Sequence, residues 1–174
     1  MNSQLHRTRA DAIVTPAWLE RRLDTVGTDG PGLRVVEVDL NTEFYERGHV
    51  PGAVCIDWRL ELQHATRRDV PSRASFASLL GARGITPETT LVLYGDNSNW
   101  FAAHLYWLLT YYGHDEVYLL DGGRRHWLES GRPTTTGRPS DTPQPSLPNG
   151  PFDHVRAYRS DIERALSTSP ELVD

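Results

Sequence analysis

Three short runs leave the chain little freedom in its fold: LRVVEVDL at 33–40, TLVLY at 90–94 and VYLL at 117–120. They are dense in β-branched and aliphatic residues, the composition of buried strands. A fourth run, AVCI at 53–56, follows a turn marked by Pro51 and Gly52. Helical segments separate the runs. Asn41 or Thr42 can cap a short helix at 43–47, Gly84 stops one at 75–83, Gly113 closes one at 100–112, and Gly131 ends one at 124–130. Ahead of the first strand, Thr15 and Pro16 supply a cap and a first-turn proline for a helix reaching residue 23. Strands and helices that alternate with short connections build a parallel sheet covered on both sides. The fold class is therefore α/β, three layers around a mainly parallel central sheet.

The 174 residues suffice for one domain of ordinary size and a tail. With 38% apolar and 24% charged residues, the chain reads as globular. Its net charge of −5 comes without a dense basic patch, which argues against nucleic acid as a partner. The one cysteine, Cys55, cannot form an internal disulfide, so a reducing cytoplasm is the simplest location. The opening MNSQLHRTRADAIV lacks the apolar core of a secretory signal, and no run approaches the ~18 apolar residues of a membrane span.

An α/β protein commonly places its chemistry where a strand gives way to a helix. Here that connection is Gly95, Asp96, Asn97, Ser98 and Asn99, between an apolar strand and an aromatic helix. None of the five is a nucleophile with a base beside it. As turn and cap residues they satisfy the first N–H groups of the helix that follows. Elsewhere, Cys55 sits in an apolar strand as a small hydrophobe. His49 belongs to a turn and has no metal-ligand spacing to another histidine. Asp39 ends a strand, where an ion pair with a nearby Arg or a capping role is expected, and Glu46 lies in a turn. Gly122 and Gly123 turn the chain into a helix. Of Trp100, Phe101, Tyr106, Trp107, Tyr111 and Tyr112, most belong to the core, and some can face a second domain.

The organisation along the chain is a flexible N-terminus at 1–12, a domain at 13–133, a Pro-rich linker at 134–154 and the start of a second domain at 155–174. Six of the twelve prolines fall within 131–151, which stiffens that stretch toward an extended form. Beyond it, IERAL (162–166) echoes LERRL (19–23), and ELVD (171–174) echoes VEVD (36–39), in the same order. That order suggests an internal repeat whose second copy stops in its first strand.

The stretch FYERGHVPGAVCIDW resembles the rhodanese signature, an acidic residue before a His-Val-Pro-Gly-Ala turn containing His49, Pro51 and Gly52. VYLLDGGRRHWLESGRP is similar to the segment that closes a rhodanese domain, with Gly122, Gly123 and Trp127 in place. The resemblance covers about residues 12–135, and the linker and repeat extend it to the tandem rhodaneses. It implies a sulfurtransferase moving sulfane sulfur from thiosulfate or 3-mercaptopyruvate to cyanide or a thiol, with the catalytic Cys in the second domain. No cofactor or metal is implied. An active loop of this family opens with Cys and carries Arg for the anionic donor; here Gly95 or Asp96 stands at the Cys position, and no Arg occurs between Leu91 and Gly123. The resemblance thus makes this chain the non-catalytic N-terminal half, with a degenerate loop at 95–99. Its expected partners are the second rhodanese domain and, through self-association, a copy of itself; neither nucleic acid nor membrane is expected. The alternative is an inactive rhodanese-fold module kept for binding or regulation. A phosphatase on this fold would also need a Cys and an Arg-bearing loop, and lacks both.

Overall fold

The computed structural model describes residues 12–27, 32–67, 69–140, 142–146 and 148–168. The runs at 33–40, 53–56, 90–94 and 117–120 form strands β2 (Leu33–Asp39), β3 (Val54–Asp57), β4 (Thr90–Tyr94) and β5 (Val117–Leu120). A strand not anticipated from the sequence, β1 (Ile13–Val14), completes a parallel sheet in the order β1-β5-β4-β2-β3. Two residues are too short to show a pattern. Pairing with Leu119 and Leu120, and the Asp121 amide donated to the Val14 carbonyl, make them a strand.

The helices are α1 (Pro16–Glu20), α2 (Glu43–Arg47), α3 (Trp58–Glu61), α4 (Arg73–Ala82), α5 (Asp96–Tyr111), α6 (Gly123–Glu129) and α7 (Arg159–Thr168). Thr15 caps α1, its side chain accepting the Trp18 amide, and Asn41 accepts the Glu43 amide at the start of α2. Helix α1 ends at Glu20, short of residue 23; a 3-10 turn at Leu23–Thr25 takes over.

Alternate residues of each strand face opposite layers. On one face Val36, Val38, Ile56, Leu91 and Leu93 pack against Phe76 and Leu80 of α4 and Leu105, Leu108 and Leu109 of α5. On the other, Val35, Val92, Tyr94 and Leu120 meet Leu19 of α1, Tyr45 of α2 and Trp127 of α6. The aromatic residues in and just after α5 differ in burial. Tyr111 and Tyr112 are buried, while Trp100 is 73% exposed.

The Pro-rich stretch is fastened along the domain. Thr135 and His49 exchange backbone hydrogen bonds, and the amides of Gln144, Gly150 and Phe152 donate to the carbonyls of Gly81, Tyr112 and Tyr111. Arg73 donates twice to the Pro148 carbonyl, and Trp107 Nε1 to the Val155 carbonyl. Prolines remove donors, so the few amides between them carry the attachment. Beyond it, α7 includes the IERAL echo, with Ile162 and Leu166 exposed. The ELVD echo, residues 1–11 and residues 28–31 lie outside the described residues, and with them most of the stretch expected to be a flexible N-terminus.

Candidate functional site

Parallel strands end on one side of the sheet, and the loops leaving β2, β3 and β4 meet there. After Tyr94 the chain stays extended at Gly95, then enters three successive left-handed residues: Asn97 (φ 51°), Ser98 (φ 56°) and Asn99 (φ 66°). Regular helix begins at Trp100, as the sequence indicates, but the turn before it is wound the opposite way. A left-handed turn costs roughly 1–2 kcal/mol per residue and needs outside anchors. Asn99 provides two: its Oδ1 accepts the Gly95 amide at 3.1 Å and its Nδ2 donates to the Leu120 carbonyl at 2.7 Å. Asn99 therefore anchors the loop back to Gly95 and outward to the end of β5.

The glycines of the site answer to space. A Cβ on Gly95 would lie 2.2 Å from the Val38 carbonyl, and one on Gly123 would lie 2.5 Å from Asn99 Oδ1. The loop, β2 and the start of α6 therefore meet in backbone contact.

Beneath the loop lies a buried polar cluster. Glu37 is fully buried; its Oε1 accepts from Arg124 Nη1 at 2.7 Å and its Oε2 from the Tyr94 hydroxyl. Arg124 also donates to the carbonyls of Phe44 (2.7 Å) and Gly48 (2.6 Å), and its Nε lies 3.9 Å from Asp96 Oδ1. Asp39 is 2% exposed; its Oδ1 accepts the Asp96 amide at 2.7 Å, and its Oδ2 is buried without a hydrogen-bond partner. Burial raises both acids, Glu37 to about 8 and Asp39 to about 6. Burial and the Glu37 charge raise Tyr94 well above the ordinary phenol.

Asp39 thus takes the capping role, one of the two expected of it, by accepting the amide that opens α5 from a neighbouring strand. Glu37, Tyr94 and Arg124 escaped the reading of the sequence. Glu37 had a signal, since a carboxyl flanked by valines in a buried strand must find a buried partner. The absence of Arg between Leu91 and Gly123 misled: Arg124 is remote in sequence yet its guanidinium reaches the loop.

His49 is a structural turn residue. Its ring stacks on Tyr45 at 3.7 Å between centroids, with Nδ1 2.8 Å from the Tyr45 carbonyl and Nε2 3.1 Å from the Gly137 carbonyl. The same turn joins the cluster through the Val50 amide, donated to the Tyr94 hydroxyl. Pro51 and Gly52 complete it, and the Gly52 Cα faces Val26 too closely for a side chain. Trp127 is buried under α6, with Nε1 bonded to the Pro133 carbonyl.

Cys55 is half-buried in β3, in register with Glu37. It lines a cleft of about 620 Å³ with Thr42, Tyr45, Glu46, Arg83 and Arg138. Burial and the charges of Glu37 and Asp39 push its thiol up to about 12, the reverse of what a nucleophilic thiolate requires. Glu46 pairs with Arg138 of the Pro-rich stretch. Among the described residues, no group of three or more His, Cys, Asp or Glu is placed to hold a metal ion, and no helix is long and apolar enough to cross a membrane.

The mouth therefore gathers three carboxyl groups around one guanidinium already committed to Glu37. Cys55, the one thiol of the chain, lies in β3 and not in this loop.

A family model for the rhodanese-like domain matches residues 15–130. A relative from Haloferax volcanii, whose name assigns it provisionally to the thiosulfate sulfurtransferases, is 47% identical over 164 residues, 94% of this chain and 57% of that protein. A similarly named relative from Saccharopolyspora erythraea is 40% identical over 167 residues, with 96% and 57% covered. Among solved structures, SseA of Escherichia coli, described with the rhodanese fold and mechanism of 3-mercaptopyruvate sulfotransferases, superposes with a TM-score of 0.75 at 21% identity, over 90% of this chain and 62% of that one. YnjE superposes with a TM-score of 0.68 at 27% identity, over 86% and 38%. The chain spans a little over half the length of the curated relatives it matches.

Proposed function

The chain belongs to the rhodanese-like family, and from that premise we propose that it is the non-catalytic N-terminal half of a two-domain sulfurtransferase. The whole protein moves sulfane sulfur from thiosulfate or 3-mercaptopyruvate to cyanide or a thiol. In that reaction a thiolate attacks the outer sulfur of the donor, the donor's sulfur bond breaks toward its departing fragment, and the resulting persulfide passes its outer sulfur to the acceptor.

One observation carries the reading. Where such a thiolate would stand, the Asp96 amide is already taken by Asp39, and three carboxyl groups surround the one guanidinium, Arg124. The relatives' greater length and the exposed Ile162 and Leu166 on α7 support a second unit after the Pro-rich stretch, with residues 134–154 as the connection and 155–174 as its start. The partner is that second rhodanese domain. A thiosulfate:cyanide assay tests the reading, repeated with 3-mercaptopyruvate. The 174-residue chain alone should give no turnover above buffer; robust turnover lost in Cys55→Ser would sink the proposal.

A second reading, an inactive rhodanese-fold module for binding or regulation, draws on a different observation. Leu40, Phe44, Leu60 and Trp100 are exposed apolar side chains on the segments that follow the C-terminal ends of β2, β3 and β4. They suit a covering surface, including a second copy of the chain. Sedimentation would distinguish the two: a monomer at high concentration removes self-association from consideration.

A further inference from the structure

Glu37 and Asp39 stand two residues apart on β2, so their side chains share one face of the sheet. Both are shut off from water. Glu37 has a donor on each oxygen, whereas Asp39 has one on Oδ1 and none on Oδ2. Asp96, at the start of α5, adds a third carboxyl. The elements around the pair bring other ionisable groups, but little charge to spare. From β4 comes Tyr94, an uncharged phenol donated to Glu37. From β3 come Cys55, a neutral thiol, and Asp57, whose Oδ1 caps α3 through the amides of Arg59 and Leu60. Glu61 of α3 and Arg83, just past α4, act on Cys55 with opposite charges and bind each other at 2.5 Å. From α2 and its turn come Tyr45, donated to the Ala53 carbonyl, and His49. From α6 comes Arg124. Full ionisation would leave Glu37, Asp39 and Asp96 facing one guanidinium in a region where charges are poorly screened.

We infer that Glu37 and Asp39 share one proton at neutral pH, that this proton holds the 95–99 loop against β2, and that its loss drives Asp96 away. The loop is the part able to yield. Asp96 has its side chain 29% exposed, and Asn97, Ser98 and Asn99 hold a left-handed turn that is costly to keep. Glu37 and Tyr94 lie deep in the sheet and cannot leave. The position of this loop is therefore set by the proton count of the pair, and the inference stands whether or not the sulfur-transfer reading holds.

Two amides report on the pair, one from the side of each acid. The Asp96 N–H is donated to Asp39, and the Val50 N–H to Tyr94, which in turn donates to Glu37. In proton–nitrogen correlation spectra from pH 5 to 9, the Asp96 and Val50 amides should move in two steps, both above the ordinary carboxylate range, because burial raises both acids. Above the second midpoint the Asp96 amide should lose its hydrogen-exchange protection. Asp39→Asn keeps the acceptor for that amide and removes one carboxyl, so the Asp96 signal should become flat and stay protected to pH 9. Wild-type Asp96 and Val50 amides that stay still between pH 5 and 9 would overturn the inference, as would an Asp96 signal that moves equally in Asp39→Asn. The wild-type titration decides by itself if the variant does not fold.

Discussion

The two faces of the sheet solve the same packing problem in opposite ways. Toward α4 and α5, strand residues such as Val36, Val38 and Leu93 join one apolar core with the side chains of those helices. Toward α1, α2 and α6, the face is apolar near the N-terminal ends of the strands and turns polar near their C-terminal ends, where Glu37, Asp39 and Arg124 are buried with Tyr94. The apolar face supplies stability without orientation. The polar end supplies orientation: Arg124 ties β2, the first turn of α2 and the glycine that follows α2, and Asp39 pins the first residue of α5. Buried ion pairs contribute little net stability, yet breaking one leaves an unpaired charge. The difference teaches that one face is held by apolar packing and the mouth of the other by directional bonds between elements.

The largest effect should come from breaking the polar end. Arg124→Ala strands Glu37 and leaves two backbone carbonyls without donors, so a loss of about 3–5 kcal/mol is expected at pH 8. The same loss should shrink by pH 5, because a protonated Glu37 no longer needs a cation. Denaturant melts at the two pH values check this; equal losses would mean that Arg124 acts through packing alone. On the apolar face, Leu105→Ala removes a fully buried side chain and should cost about 2–5 kcal/mol at both pH values.

The wild-type protein should itself show the contrast. Glu37 is raised from its ordinary value to about 8, so the folded state binds a proton more tightly than the unfolded chain does. That contribution is complete below the unfolded value and is lost as pH rises through about 8. Thermal stability should fall from pH 5 to pH 9, and Glu37→Gln should flatten the fall. A wild-type melting temperature that rises over this range would contradict the burial of Glu37 as a protonated acid. The smallest effect belongs to the surface: Trp100→Ala, at a side chain 73% exposed, should change stability by no more than about 0.5 kcal/mol. Any larger consequence of that substitution should appear in self-association.

Much of the fold was legible because burial on both faces leaves a local trace. Residues 33–40, 90–94 and 117–120 are apolar enough to name central strands, and Gly84, Gly113 and Gly131 mark helix ends. The Thr15 and Asn41 caps were equally local. Strand β1 was not legible, since two residues carry no period. The place of the loop at 95–99 could be found from the strand before it and the helix after it. Its left-handed winding could not, because Asn99 is held by Leu120 and the glycine contact of Gly123, both from another part of the chain.

By itself, then, the sequence determined the layered parallel fold, the family resemblance and the absence of a cysteine from the loop, all written in composition and short-range order. Tertiary structure alone decided that Arg124 enters the loop's neighbourhood, that Asp39 occupies the Asp96 amide, and that the Pro-rich stretch lies fastened along the domain. These are contacts between residues tens of positions apart. Their partners are chosen by the register of parallel strands and the helices that cross between them, and neighbouring residues in the sequence do not encode that choice.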